Sequence, residues 1–264
     1  MTDSIHVSAS SLILLAPFSS KNVSPSTMDY RVLLLKRNPH ARFMPGAYVF
    51  PGGQVDELDR QDSSLLTETF PWKKWGWTSR IEAQASLISA LRETHEEAGE
   101  DLNTWNLDTS RLSCYAHWLT PPITKKRFDT FFWLLTLPSS FVPKVDGQEI
   151  VDGGWWSPEQ ALEAYAQEKI DLAPPTLRIL HELIDLISIS PPFNITPYKH
   201  SICPVIYKHN QTLSLCFFGD RMYTEIDQGG SIVKEDHDHH QGPLNRVTKN
   251  KQTGRWDVHF TQSI

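Results

Sequence analysis

The chain has 264 residues, of which 39% are hydrophobic and 21% charged, as expected for a globular protein with a substantial core. Its formal net charge is −6 and it contains no block of basic residues, which argues against a long nucleic acid as partner. Its three cysteines form no CxxC pair, which argues against a disulfide framework and a cysteine-ligated zinc site. We therefore expect an intracellular, reducing compartment.

The apolar runs "SLILLAPF" and "FFWLLTLP" are about half the length needed to cross a bilayer, so no membrane association is predicted. The start "MTDSIH" lacks the basic segment of a secretory signal. The end "QSI" departs from the SKL peroxisomal address. These features do not distinguish cytoplasm, peroxisome and mitochondrion.

The first half of the chain predicts strands followed by one long helix. "SASSLILLAPF" and "YRVLLLKR" predict two strands that should pair, and "AYVFPGG" predicts a short strand ending in a glycine turn. Residues 54–78 show no sustained period, so we interpret them as a structured loop or insertion. A helix should begin at Ser79, which has capping-box spacing to Glu82, and end at Gly99. Its predicted buried stripe comprises Ala83, Leu87, Leu91, Thr94 and Ala98.

The second half predicts strands in "RLSCYAHWLTP", "FDTFFWLLTLP" and "EIVDGGWW", a helix capped by Ser157, and a helix in "PPTLRILHELIDLI". Strands and helices do not alternate regularly, which favours a mixed sheet between helices. The prolines at 191 and 192 predict a boundary between a domain of residues 1–190 and a β-rich extension, 191–264, packed on the same domain.

The segment "RETHEEAGE" places three carboxylates on one face of the predicted helix, because Glu93, Glu96 and Glu97 stand at i, i+3 and i+4. Like charges at these spacings repel, and the helix dipole disfavours anions in the last turns. Mg²⁺ binds a few carboxylate oxygens and fills its other positions with water and phosphate oxygens. From spacing alone, a solvated acidic face and a metal site both remain open.

The combination of "PGG" at 51–53 with "RETHEEAGE" resembles the Nudix hydrolase signature, G-x5-E-x7-R-E-U-x-E-E-x-G-U. The matching residues are Arg92, Glu93, Glu96, Glu97 and Gly99. The signature puts its glycine 14 residues before the arginine, whereas Gly53 and Arg92 are 39 positions apart, so about 25 residues are inserted.

The insertion leaves the first glutamate of the signature open. Gln84 holds the strict position counted back from Arg92, Glu57 and Asp59 follow the glycine turn, and Glu82 is better explained as a helix cap. An interrupted signature resembles the coenzyme A diphosphatase branch of the family. The segments "MPGAYVFPGGQVDELD", "HWLTPPITKKRFDTFFWL" and "DGGWWSPEQAL" are similar to that branch as well.

This resemblance implies an α/β/α sandwich around a mixed sheet and a hydrolase that uses Mg²⁺ or Mn²⁺. It further implies that Glu93, Glu96 and Glu97 ligate the metal, that Arg92 orients the acidic cluster, and that Gly53 lets the loop approach the helix. Either Glu97 or Glu149 would be the general base.

The segment "KKRF" joins cations to an aromatic ring, so Lys125, Arg127 and Phe128 are candidate contacts for the phosphate and adenine of a coenzyme A substrate. A solvated basic turn is the alternative. Arg42 is a further candidate, and Lys36 and Arg37 have the same two interpretations. The "DHDHH" segment at 236–240 is better explained as a solvated loop than as a transition-metal site.

The expected reaction is hydrolysis of coenzyme A or acyl-CoA to 3′,5′-ADP and (acyl-)4′-phosphopantetheine. One alternative is hydrolysis of ADP-ribose, NADH or another nucleotide conjugate. The other is a non-catalytic Nudix scaffold that binds a nucleotide or a protein. The expected partner is a small nucleotide-type molecule. The sequence leaves a homo-oligomer open but offers no feature that supports one.

Overall fold

A computed structural model describes residues 5–18, 29–62, 70–105, 109–121, 126–188, 201–209, 212–218, 220, 223 and 243–260. The chain divides into two compact units. The larger unit comprises residues 8–116 and 130–199, and the smaller one comprises residues 1–7, 117–129 and 200–264. Within the described ranges, no helix is long and apolar enough to span a membrane.

The strands of the first sheet are β1 (Ile5–Pro17), β2 (Tyr30–Arg37), β3 (Ala47–Val49), β4 (Gly52–Gln54), β5 (Leu112–Leu119), β6 (Lys126–Thr136), β7 (Ile150–Trp156) and β8 (Asp171–Leu172). The helices are α1 (Glu57–Gln61), α2 (Arg80–Ala98), α3 (Pro158–Ala166) and α4 (Pro174–Ser188). The strands of the second sheet are β9 (Val205–His209), β10 (Thr212–Cys216), β11 (Asn245–Lys249) and β12 (Trp256–Phe260).

The first sheet is mixed. Its order is β5-β6-β1-β2-β3-β8, with β4 paired to β1 and β7 paired to β2. The predicted pairing of β1 with β2 is antiparallel, whereas β3 and β8 run parallel. Residues 12–15 of β1 are all fully buried, so the sheet is covered on both faces. The predicted mixed-sheet sandwich is therefore confirmed.

Helix α2 begins and ends where its caps predict. The Ser79 hydroxyl accepts the Glu82 N–H at 3.3 Å, and Gly99 closes the helix with a left-handed φ of 71°. The predicted stripe is buried, and its leucines pack against Leu33 and Leu35 of β2. The Glu82 carboxylate, however, accepts a hydrogen bond from Arg60 at 3.2 Å instead of folding back on the cap. Burial of this face fixes α2 on the sheet.

The insertion is more ordered than a loop. It contains α1, which packs against α2, and a 3₁₀ turn at Trp72–Trp75. Trp75 is buried, with its ring centroid 5.2 Å from that of Trp133 in the core. A five-residue helix is too short to show a hydrophobic period, which is why the sequence did not reveal it. Part of the insertion, residues 63–69, lies outside the described residues.

The smaller unit contains a four-stranded antiparallel sheet with the order β12-β11-β10-β9, which confirms a β-rich C-terminal segment. Its most buried ion pair joins Arg246 to Asp220 at 2.5 Å. The prolines at 191 and 192 and the histidine-rich loop at 236–240 lie outside the described residues, so the domain boundary stays a prediction. Cys114, Cys203 and Cys216 are buried thiols that take part in no disulfide of the described structure.

Candidate active site

The carboxylates of "RETHEEAGE" face the turn between β3 and β4. The Gly52 N–H donates to the Glu97 carboxylate at 2.9 Å, and Glu97 is only 4% exposed. The Arg92 guanidinium donates to Glu93 at 2.8 Å and to Glu96 at 3.2 Å. The last turns of α2 and the glycine turn therefore form one acidic site within the larger unit.

The two glycines of "PGG" permit this close approach. Strand β4 pairs with β1, with Gly52 opposite Ser11 and Gly53 opposite Ser10. A Cβ on Gly52 would collide with the backbone of both serines, and a Cβ on Gly53 would collide with the Glu93 carboxylate. The space that a side chain would fill at Gly53 is thus taken by a carboxylate of the helix.

Arg92 connects the acidic face to the insertion. Its Nε donates to Asp59 Oδ1 and its Nη2 donates to Asp59 Oδ2, both at 3.0 Å. Nη2 also donates to the Gln54 carbonyl at 3.1 Å. A planar guanidinium that is held at both edges cannot rotate freely, so Arg92 has a fixed position beside Glu93 and Glu96.

Asp59 is the acidic partner that the sequence left open. Gln84 is buried in α2 and is not among the partners of Arg92, and Glu82 binds Arg60. Glu57 is 72% exposed and lies 3.9 Å from Arg60. Counting the signature forward from Gly53 instead of backward from Arg92, G-x5-E reaches position 59. That forward count is the signal that identifies this residue, and it places the insertion after the acidic position.

Burial and like charges shift the pKa values of the cluster. Burial is the main cause that raises the pKa of Glu97 to about 8, with further contributions from the charges of Glu93 and Glu149. The Gly52 N–H and the charge of Arg37 oppose this rise. Burial also raises the pKa of Glu93, against the lowering effect of Arg92. Burial therefore disfavours the charged form of both carboxyls when no cation is bound.

The donors fit a hard divalent cation by their chemistry. All are carboxylate oxygens, and the charge of Glu96 raises the pKa of Glu93 while that of Glu93 raises the pKa of Glu97, effects that a bound cation would reverse. Within the part of the chain that the structure describes, however, no three acidic, histidine or cysteine side chains converge on a common point. The reason is visible in the pairing, since Arg92 holds Glu93 and Glu96 while Gly52 holds Glu97. Each of these contacts uses one oxygen of its carboxylate, so Glu93, Glu96 and Glu97 would each offer a cation their second oxygen once they converge.

Glu149 lies at the edge of this cluster. It precedes β7, is exposed, and its charge raises the pKa of both Glu93 and Glu97. Its backbone carbonyl accepts the Asn38 N–H at 2.8 Å, which fixes the turn to the end of β2. The two candidates for general base, Glu97 and Glu149, thus share one electrostatic environment.

The other predicted substrate contacts have different settings. Arg42 is exposed in the loop between β2 and β3. Arg127 is 7% exposed in the smaller unit, where its Nε donates to the Thr120 carbonyl at 2.8 Å. Phe128 lies in the same unit, under the Lys126 ammonium at 4.9 Å from the ring centroid. Lys125 lies outside the described residues. A substrate role for these residues stays a prediction.

Comparison with known proteins matches residues 6–81 and 101–183 to the family described as NUDT19 Nudix domain. These segments cover more than half of the chain and flank residues 82–100, which form most of α2. A crystal structure of a NUDIX hydrolase from Alicyclobacillus acidocaldarius shares the fold, with a TM-score of 0.55 and 22% identity over 69% of this chain and 93% of that one.

The relatives that carry the name acyl-coenzyme A diphosphatase NUDT19 include one from Xenopus laevis and one from Homo sapiens. The Xenopus laevis protein is 28% identical over 243 residues, covering 64% of this chain and 63% of the relative. The Homo sapiens protein is 27% identical over 260 residues, covering 69% of each chain. The chain thus spans less than two thirds of the length of the Xenopus relative. With its signature residues gathered at one site and a family match over more than half of its length, this chain belongs to the Nudix family, in the group described by the NUDT19 Nudix domain.

Proposed function

We propose that this chain hydrolyses the diphosphate bond of coenzyme A or acyl-CoA in a reaction that depends on Mg²⁺ or Mn²⁺. The products are 3′,5′-ADP and (acyl-)4′-phosphopantetheine. The observation that carries the proposal is the network in which Arg92, fixed by buried Asp59, holds Glu93 and Glu96 beside Glu97. The substrate class rests on the relatives named acyl-coenzyme A diphosphatase.

Glu93, Glu96 and Glu97 are the proposed ligands. A divalent cation held there would act as a Lewis acid on the diphosphate oxygens and make water a better nucleophile. Gly52 keeps Glu97 against the turn, and Arg92 limits how far Glu93 and Glu96 can move. The protein thus supplies carboxylates whose positions are set before the substrate binds.

The chemical step is attack of water on one phosphorus and cleavage of the phosphoanhydride P–O bond. One proton of the water passes to a carboxylate, and the bridging oxygen leaves with the other phosphate. Glu97 and Glu149 are the proposed acceptors, because the charge of Glu149 acts on Glu97 and both carboxyls therefore lie at this site. A bound cation would lower the pKa of Glu97 from its raised value and favour the carboxylate form that accepts a proton.

A non-catalytic scaffold would not need this arrangement. Clustered carboxylates oppose burial and repel each other, so a chain that only binds a partner gains nothing by retaining them. Glu97 nevertheless remains buried at 4% exposure beside Glu93.

A substrate panel tests the proposal. The protein is incubated with Mg²⁺ and coenzyme A, acyl-CoA, ADP-ribose, NADH or capped RNA, and products are identified by mass. The proposal expects kcat/KM to be highest for coenzyme A or an acyl-CoA, with 3′,5′-ADP as product. A higher kcat/KM for ADP-ribose or NADH contradicts the proposed substrate class. No turnover of any compound contradicts the proposed hydrolase activity.

A further inference from the structure

Arg37 is the last residue of β2 and stands beside the acidic site. Residues alternate between the two faces of a strand, and Leu33 and Leu35 of β2 pack in the same core cluster as α2. Arg37 follows Leu35 by two positions, at the point where the β2–β7 register shifts between Lys36 and Arg37. Its positive charge acts on Glu97, against the effect of burial on the pKa of that carboxyl.

The Arg37 guanidinium is fixed at one edge and open at the other. Its Nε donates to the Phe43 carbonyl at 3.0 Å, which ties the strand end to the loop that follows. Among the described residues, its two terminal nitrogens have no hydrogen-bond partner. Arg92, in contrast, uses all three nitrogens on Asp59, Glu93, Glu96 and backbone oxygen. Arg37 is therefore a cation at this site whose two terminal nitrogens remain available to donate hydrogen bonds.

The neighbouring residues place Arg37 at the same end of the sheet as Glu149. The Asn38 N–H donates to the Glu149 carbonyl at 2.8 Å, and the Asn38 side chain donates to the Gln148 carbonyl at 2.6 Å. Arg37 itself lies opposite Ile150 in the β2–β7 pairing. Arg37 and Glu149 thus lie at the same end of the sheet, and the charges of both act on Glu97.

We propose that Arg37 is a substrate-binding residue, whose two terminal nitrogens bind one phosphate of a nucleoside diphosphate group beside the α2 carboxylates. The inference rests on the proposed function and adds to it the residue that holds the diphosphate. A planar guanidinium with two free parallel donors matches a phosphate bidentately.

Lys36 is a matched control on the same strand. It lies opposite Tyr48 in the β2–β3 pairing, and its ammonium lies 5.9 Å from the centroid of the Tyr48 ring. The chain thus offers two adjacent cations of equal charge, of which the structure directs only Arg37 to the acidic site.

The test measures ADP binding by calorimetry with Mg²⁺ present, and kcat and KM for coenzyme A, in wild type, Arg37→Ala, Arg37→Lys and Lys36→Ala. We expect Arg37→Ala to weaken ADP binding and raise KM by roughly 10- to 100-fold, since a charged hydrogen-bond donor is lost. Arg37→Lys should bind ADP more tightly than Arg37→Ala but less tightly than wild type, because it keeps the charge but lacks the two parallel donors of a guanidinium. Lys36→Ala should stay within about twofold of wild type.

The inference is overturned if Arg37→Ala binds ADP as wild type does, or if Lys36→Ala loses as much affinity. Circular dichroism and thermal melting check that each variant is folded, and Arg37→Lys carries the comparison if Arg37→Ala is not. Hydrolysis of coenzyme A with no effect of Arg37 refutes this inference alone. Arg37-dependent ADP binding without turnover of any substrate refutes the proposed function alone.

Discussion

Asp59 and Arg92 form a two-point ion pair in which both hydrogen bonds measure 3.0 Å, between an insertion residue that is 3% exposed and the arginine of the acidic helix. The pair makes the insertion part of the site. Helix α1, which carries Asp59, packs directly against α2. The residues between Gly53 and Ser79 therefore support the carboxylates and do not merely connect two parts of the fold.

Replacing Asp59 by Asn should destabilise the protein and impair activity. A neutral amide cannot balance the guanidinium, so we expect a loss of about 1–3 kcal/mol in the free energy of unfolding, measured with urea. We also expect kcat/KM for coenzyme A to fall by at least about tenfold, since Arg92 would shift toward Glu93 and Glu96. The control is Glu57→Gln on the same helix. The Glu57 side chain is 72% exposed, so this substitution should change the free energy of unfolding by less than about 0.5 kcal/mol. Equal effects of the two variants would refute a special role for Asp59.

Replacing Gly53 by Ala should separate activity from stability. The new Cβ meets the end of the flexible Glu93 side chain, so the carboxylate can move away at little cost to the fold. Its displacement should lower kcat/KM by roughly 100-fold, as expected for a misplaced catalytic group. The matched control is Gly154→Ala on β7, where an added Cβ meets only the Trp156 indole nitrogen at 3.9 Å. Full activity of Gly53→Ala would contradict the claim that activity requires the Glu93 carboxylate to lie beside Gly53.

Stability of the metal-free protein should fall as pH rises. The pKa of Glu97 in the folded protein is raised from 4.5 to about 8, so the protonated form is favoured by folding. Its contribution is fully present below pH 4.5 and is lost as pH rises through about 8. We expect wild type in EDTA to lose roughly 2–4 kcal/mol between these values relative to Glu97→Gln, which mimics the protonated acid. Urea unfolding at several pH values in this range measures the difference. The same pH dependence of the free energy of unfolding in both proteins would contradict the raised pKa of Glu97.

The sequence was sufficient for elements whose pattern is local. Strand β2 has the bounds that its apolar run predicts, and α2 lies between the predicted caps at Ser79 and Gly99. Its buried stripe follows from helical spacing alone. Ser157 was predicted as the cap of α3, and in the structure Gln160 completes a capping box with it. Caps and periodicity are short-range signals, which is why a single sequence reveals them.

The remaining features depend on contacts between distant parts of the chain. Asp59 and Arg92 are 33 positions apart, and Arg37 acts on Glu97 across 60 positions, so no local pattern joins them. Strand β11 was not predicted because its sequence, "NRVTK", alternates too briefly and has two charged residues. Strand β8 has only two residues and exists because β3 pairs with it.

The same limit applies to the acidic cluster. Spacing places Glu93, Glu96 and Glu97 on one face, but it does not show that Arg92 and Gly52 hold them apart. The resemblance therefore predicted a metal site, and the structure adds the contacts with Arg92 and Gly52 that hold its carboxylates.

The most direct test of a metal-dependent diphosphatase at this site is the initial rate of 3′,5′-ADP formation from coenzyme A, measured by mass. Wild type and Glu97→Gln are first treated with EDTA, and Mg²⁺ is then titrated into each. We predict no product before Mg²⁺ is added, saturable activity in wild type, and a rate at least about 100-fold lower for Glu97→Gln at saturating Mg²⁺. Circular dichroism confirms that the variant is folded. Product formation by Glu97→Gln at the wild-type rate, or by wild type in EDTA, would contradict the assignment of this cluster as a metal-dependent diphosphate-cleaving site.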